Sequence, residues 1–264
     1  MTQPLLEARR LNKSFGAVTA ARDIDVAVAA HEVVGIIGAN GAGKTTFVNM
    51  VTGWLKPSAG RILFAGQDIT GRAPRDITRL GICRSFQVAQ VFQTATVADN
   101  LLIALGIAEA GTGAGSGLRR LRRPDLAARV DALLARYRIA DYRDQRAVTL
   151  PQGVRKLLDI AMAMVAAPRL LLLDEPTSGI SSEEKFELMD IVMAALREDG
   201  VTVLFVEHDM EIVDRYVGRV LAFYQGEIIC DAPPLQALAD PRVKEFVIGE
   251  EHSSSGQGVG NAHR

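Results

Sequence analysis

Cysteine is scarce: Cys83 and Cys230 are the only two in 264 residues. Two thiols are too few for a disulfide framework or a zinc site, so both read as ordinary thiols. Long apolar runs are also missing. No stretch reaches the roughly 18 residues that a membrane span needs, and Met1-Thr2-Gln3-Pro4 lacks a signal-peptide pattern. The chain is therefore expected in the cytosol. There is no excess of one charge either. A formal net charge of −1 argues against a protein built mainly to hold nucleic acid, while leaving room for a local basic face. No internal repeat is visible. With 48% hydrophobic and 23% charged residues, the chain can bury a sizeable core in one domain, or in a domain with a subdomain.

What is present is concentrated in Gly38-Ala39-Asn40-Gly41-Ala42-Gly43-Lys44-Thr45. The apolar run Val33–Ile37 precedes it and Thr46-Phe47-Val48-Asn49-Met50-Val51 follows. A strand, a glycine-rich turn and a helix start are the context in which G-x-x-x-x-G-K-[ST] means a P-loop. A triphosphate needs several donors converging on its oxygens. Glycines at 38, 41 and 43 let consecutive N–H groups curl inward. The helix start adds unpaired N–H groups and a positive dipole end, Lys44 a point charge for the β- and γ-phosphates, and Thr45 a hydroxyl for Mg²⁺.

Around this centre, Leu5–Leu11 and Ala20–Val28 read as strands with a turn at Asn12–Gly16 between them. Phe15, in that turn, is either packing or an exposed ring able to stack on adenine. Arg61–Gly66 follows as a strand after the turn Lys56–Gly60, and Ile82–Gln87 as a strand ending in glutamine. Gln87 reads as a surface amide or as a ligand of Mg²⁺ or the attacking water at a strand's C-terminal edge. From Thr96 to about Leu150 the spacing turns helical. Val97, Leu101, Leu102 and Leu105 mark one helix and Leu126, Val130, Leu133, Leu134 and Tyr137 another. The glycine-rich stretch Gly111–Gly117 separates them. Arg119, Arg120, Arg122 and Arg123 form a basic run, read as a solvated face or a contact for lipid headgroups or an acidic partner.

The α/β pattern resumes at Leu170-Leu171-Leu172-Leu173-Asp174-Glu175-Pro176, apolar on both faces as suits a central parallel strand. Asp174 can hold Mg²⁺ through water. Glu175, expected to point the other way, can polarise a water aimed at the γ-phosphate. The alternative is a pair of helix-capping acids. Val201–Asp209 reads as a further buried strand ending in His208, either structural or a γ-phosphate sensor. Leu221–Ile229 reads as a hairpin and Pro234–Phe246 as a helix. A disordered tail is expected from Ser253.

P-loop, Gln87, Asp174-Glu175 and His208 in this order, with a helical insert between glutamine and acidic pair, resemble the ATP-binding subunit of ABC transporters. The likeness covers nearly the whole chain. Gly81–Gln87, Glu207-His208-Asp209-Met210, Asp240–Phe246 with Gly249-Glu250, and the long insert after Thr96 resemble the Liv-type subunits of branched-chain amino-acid importers. Relatives of that appearance also serve urea, amides and aromatic acids. The resemblance implies an α/β P-loop NTPase (RecA-like) core with an N-terminal antiparallel β subdomain and an inserted α-helical subdomain. Residues 1–95 and 160–235 would form the core, 96–159 the helical subdomain with the signature loop, and 236–251 a C-terminal helix. Residues 252–264 would be the tail.

By the same resemblance Phe15 would stack on adenine. Gly38, Asn40, Gly41, Ala42, Gly43, Lys44, Thr45 and Thr46 would hold the phosphates. Thr45, Gln87 and Asp174 would organise Mg²⁺, Glu175 would be the general base, and His208 the γ-phosphate switch. Two subunits would close face to face, each ATP lying between one P-loop and the partner's signature loop, where Gly153 would approach it. A soluble ABC-type ATPase is the competing reading. Translation factors of that kind carry two P-loop halves and repair proteins a long coiled coil, and the sequence shows neither.

The family's signature reads Leu-Ser-Gly-Gly-Gln, but this chain has Leu150-Pro151-Gln152-Gly153-Val154. A serine hydroxyl on a charged phosphate is worth about 1.5–3 kcal/mol, so the loop should serve a partner's ATP roughly ten- to hundredfold less well, unless Gln152 compensates. The helix expected from Arg155 to Val165 still aims its N-terminus at phosphate, and Pro151 suits a first turn. Ser181 stands where relatives often carry Asp. A full set of catalytic residues beside a weak signature predicts a second, non-identical ATPase subunit. Permease subunits are expected to contact Val88–Phe92 at the cytoplasmic face of the membrane, with an extracytoplasmic binding protein acting indirectly. No nucleic acid is expected as a partner.

Overall fold

The computed structural model describes residues 3–85, 89–110 and 124–249. Gln87, Val88, the stretch Gly111–Gly117, the four arginines after it and the tail lie outside the described residues. Two compact units divide the chain, one made of residues 1–73 and 205–264, the other of 74–204.

The first unit opens with β1 (Leu6–Phe15), β2 (Val18–Val28), β3 (Val33–Ile37), α1 (Lys44–Val51), β4 (Ala59–Phe64) and β5 (Gln67–Asp68). The second holds α2 (Pro74–Arg79), β6 (Ile82–Ser85), α3 (Val97–Ala110), α4 (Pro124–Arg136), α5 (Gln152–Met164), β7 (Leu170–Asp174) and α6 (Glu184–Glu198). Strand β8 (Thr202–Val206) carries the boundary. The chain then completes the first unit with α7 (Met210–Tyr216), β9 (Arg219–Tyr224), β10 (Glu227–Ala232), α8 (Pro234–Ala239), α9 (Pro241–Val243) and a π-helical turn at Lys244–Ile248.

In the first unit β2-β1-β4-β5 make an antiparallel sheet. A second set runs β10-β9-β3, with the end of β8 next; β3 and β9 are parallel. In the second unit the order is β8-β7-β6, with β6 and β7 parallel. All five residues of β8 and the first four of β7 are buried, as strands covered on both faces must be. The apolar stripes behave as their spacing predicts. Leu101 and Leu105 are buried on α3, and Leu126, Val130, Leu134 and Tyr137 along α4 and just past it.

Four expectations need correction. The turn expected at Asn12–Gly16 is mostly strand: β1 runs to Phe15, which pairs with Val18. Its polar residues are held from the side, Asn12 Nδ2 donating to Asp23 Oδ1 at 2.8 Å and Asp23 N to Asn12 Oδ1 at 3.0 Å. β8 stops at Val206, before Glu207. The carboxylate of Glu207 accepts from the backbone N–H of His208 at 3.1 Å and so turns the chain. Helix α5 starts at Gln152, with Pro151 outside it as the N-cap residue in extended conformation. Finally, the helix expected over Pro234–Phe246 is broken at Asp240, where ψ is 127°. Pro241 follows it, and the residue before a proline is pushed out of the helical region. Asp240 turns this to use by capping α9, accepting from Arg242 N at 2.8 Å.

Candidate nucleotide site

β3 is buried from Val34 onward and delivers the chain directly into the glycine loop. There φ is +150° at Gly38, +81° at Gly41 and +106° at Gly43. Two of these glycines are required by close neighbours as well as by backbone angle. A Cβ on Gly38 would lie 2.5 Å from the carbonyl oxygen of Phe223, and one on Gly43 would lie 2.7 Å from that of Ala20. The loop is closed by Ala42 N donating to Ala39 O at 3.1 Å, and backed by Gly226 N donating to Ala42 O at 2.9 Å. Helix α1 begins at Lys44 with no side-chain cap. Its first internal bond runs from Phe47 N to Gly43 O, 2.9 Å. The amides before Phe47 thus have no acceptor inside the helix, which is how a helix start comes to bind anions.

Lys44 is buried, and its ammonium donates to Gly38 O and, at 3.0 Å, to Ala39 O. The loop's curl therefore carries a positive charge at its centre. Asn40 and Thr45 are exposed and Thr46 half-buried. Ala20, whose carbonyl touches the Gly43 position, lies two residues beyond Val18, the partner of Phe15. The Phe15 ring is 51% exposed, with Lys13 Nζ 5.0 Å from its centroid. It is an exposed ring on the hairpin that abuts the loop. His208 also sits near β3: Glu207 N donates to Ile36 O at 3.3 Å, so His208 follows one residue after a bond to the strand that feeds the loop. Asp209 then caps α7 through Glu211 N at 3.0 Å.

In the second unit Asp174 ends β7, and Glu175 follows with φ +48°. A non-glycine residue in that region costs about 1–3 kcal/mol and marks a constrained position. Strand alternation stops before it, so Glu175 is directed by a left-handed turn and not by the pleat, as had been expected. Buried Lys156 holds the turn, its Nζ lying 3.3 Å from Glu175 O. Neither acid caps a helix, since the next one begins at Glu184. Sequence reasoning missed the partner of Asp174, which is Arg84 on β6. The only signal was the residue itself; strand register is not written in a linear motif.

The signature segment is engaged with its own chain. Gln152 Nε2 donates to Ser178 O at 3.0 Å, and a Cβ on Gly179 would strike that amide at 2.3 Å. Ser181 Oγ, just ahead of α6, accepts from Glu184 N at 3.3 Å and donates to Glu184 Oε2 at 2.9 Å. Gln90 and Phe92 are held by two buried side chains. Asp159 Oδ1 accepts from Gln90 N at 2.8 Å and Asn100 Oδ1 from Phe92 N at 2.7 Å. Phe92 itself is exposed.

Burial pushes the Cys83 thiol up to about 11 and raises Cys230 as well, which disfavours the thiolate at both. Among the described residues no group of three or more His, Cys, Asp or Glu could hold a metal. Thr45 in the first unit and Asp174 in the second each carry an oxygen of the hard kind that magnesium takes. No helix among the described residues is long and apolar enough to cross a membrane.

The family described as ABC transporter matches residues 21–178. The chain is 34% identical over 255 residues to the high-affinity branched-chain amino acid transport ATP-binding protein LivG of Escherichia coli, covering 95% of this chain and 100% of that protein. It is equally similar to BraF of Pseudomonas aeruginosa, an ATP-binding protein of the same described transport. Among solved structures, an ATP-binding cassette of an ABC transporter in its ADP conformation superposes with a TM-score of 0.81 at 29% identity, covering 94% of this chain and 100% of that one. With a glycine loop closed on Lys44 and likeness along nearly its whole length, the chain belongs to the ABC transporter family, as an ATP-binding and ATP-hydrolysing subunit.

Proposed function

We propose that this chain powers an importer for branched-chain amino acids or a related small polar solute such as an amide, urea or an aromatic acid. The solute class rests on the described transport of LivG and BraF. The mechanism rests chiefly on the loop Gly38–Gly43, whose geometry gathers amides around a buried ammonium. In that mechanism the amides from Asn40 to Thr46 bind the phosphate oxygens and Phe15 stacks on adenine. Lys44 exchanges its two carbonyl acceptors for β- and γ-phosphate oxygens. Thr45, Gln87 and Asp174 would hold magnesium, which would supply positive charge to offset that of the phosphates. Glu175 accepts a proton from the water that attacks the γ-phosphorus, the bond to the bridging oxygen breaks, and ADP leaves. His208 donates to the γ-phosphate and senses its loss. Residues 1–251 act as one ATPase domain.

A second ATPase subunit completes each site. It is non-identical, because Leu150-Pro151-Gln152-Gly153 offers a partner's phosphate neither the serine hydroxyl nor a free Gln152 amide group directed by the loop alone. Permease subunits dock on Val88–Phe92, a segment whose described part is fixed at Gln90 and Phe92 by helices α5 and α3. The assembly then sits at the cytoplasmic face of the membrane, with an extracytoplasmic receptor delivering solute.

The test is reconstitution with permease and receptor, comparing leucine-loaded with urea-, amide- and aromatic-acid-loaded receptor. In an equimolar mixture with the companion ATPase, Glu175→Gln should lower turnover about 10²–10⁴-fold, the range for loss of a general base, with ATP binding retained. Unchanged turnover would overturn the assignment of Glu175 and of this chain's site as the hydrolysing one.

A further inference from the structure

Arg84 and Asp174 are brought together by register alone. In the parallel pair β6–β7, Arg84 stands opposite Leu172. Asp174 is two residues further along β7 and so on the same face. A diagonal neighbour of this kind is within reach of a long side chain. The guanidinium is 9% exposed and the carboxylate 14%. Arg84 Nη2 donates to Asp174 Oδ2, while among the described residues no donor engages Oδ1. A half-buried carboxylate with one oxygen clamped and the other open has its orientation fixed before any ligand arrives.

We propose that Arg84 is a positioning residue for magnesium–nucleotide binding, holding Asp174 so that Oδ1 faces the water shell of the ion. This rests on the assignment of Asp174 as the magnesium carboxylate. Groups that orient a ligating carboxylate typically change metal affinity by about 10- to 100-fold when removed. A planar guanidinium fixes a carboxylate better than an ammonium does, so lysine should replace it only in part.

The experiment is equilibrium binding of a fluorescent, non-hydrolysable ATP analogue to the purified chain, first in EDTA and then along a Mg²⁺ titration. It compares the parent protein with Arg84→Gln, Arg84→Lys and Asp174→Asn. For Arg84→Gln the half-saturating Mg²⁺ should rise about 10- to 100-fold with metal-free affinity unchanged; Arg84→Lys should fall between. Should Arg84→Gln fail to fold, Arg84→Lys alone carries the test. Equal weakening with and without metal would make Arg84 a fold support and overturn the proposal, as would an unaltered or lowered Mg²⁺ requirement. Asp174→Asn should abolish the gain in affinity from Mg²⁺. If it does not, the assignment of Asp174 fails, and the role of Arg84 fails with it by a separate, recognisable outcome.

Discussion

Gly38–Gly43 and Leu150–Gly153 both run into the first turn of a helix, α1 in one case and α5 in the other. In the first, Gly43 occupies the N-cap in the left-handed region, and the preceding glycines let amides converge. In the second, Pro151 is the N-cap, extended and without an N–H, and no side chain caps the helix. Gly38 and Gly43 are demanded by the chain's own atoms at 2.5 and 2.7 Å. A Cβ on Gly153 would meet only Leu188, at 3.8 Å. One loop is thus built to bind anions from within. The other keeps a glycine its own fold does not need, alongside a proline that cannot donate. The difference is the structural ground for the proposal above that this subunit serves its own nucleotide better than a partner's.

The comparison breaks most visibly at Lys44. Replacing two charge-assisted hydrogen bonds to phosphate, at about 1.5–3 kcal/mol each, with none in Lys44→Ala should weaken ATP binding to the isolated chain by about 100-fold or more. Gln152→Ala, in the second loop, should leave that affinity unchanged. Titration with a fluorescent nucleotide checks both, and equal losses would remove the asymmetry.

A smaller change should sharpen it. Pro151→Ser places a hydroxyl where the helix lacks a cap, worth typically about 1 kcal/mol of stability, and restores a donor for the partner's γ-phosphate. Melting temperature should rise, and turnover of the mixed pair should rise about tenfold, the rate equivalent of roughly 1.4 kcal/mol. Higher stability with flat turnover would mean that the proline is not what weakens the signature.

The first loop was legible because its chemistry is contiguous: strand, glycines, lysine and helix start fall within about twenty residues of one another, the scale of a single strand–turn–helix unit. The second was legible as a departure from a pattern, but not its tie to Ser178, 26 residues away. Arg84 and Asp174, 90 residues apart, meet only through parallel pairing, and no local periodicity encodes which strands become neighbours. Asn12-Lys13-Ser14 have the composition of a turn and are strand because Asp23 holds the Asn12 amide while Lys13 and Ser14 pair with Ala21 and Thr19 of β2. At Asp240-Pro241 the reverse holds: the break is legible in the sequence, because the residue before a proline is pushed out of the helical region, and a single helix over Pro234–Phe246 runs against it.

Opposite signs from one kind of substitution give the finest test. Gly43→Ala drives a Cβ onto the Ala20 carbonyl at a left-handed backbone position, so it should destabilise by about 1–3 kcal/mol. Gly153→Ala sits in the first turn of α5 with room around it. Removing a helical glycine should stabilise by up to about 1 kcal/mol, or roughly 2–4 °C in Tm for a chain of this size class. Its cost should fall on the partner, as weaker ATP-driven closure of the mixed pair with the isolated chain's own nucleotide affinity untouched. Calorimetry of both variants, followed by dimerisation measured with ATP, separates the two glycines. A Gly153→Ala protein that is less stable, or that closes as readily as the parent, would show that this glycine is held by its own fold after all.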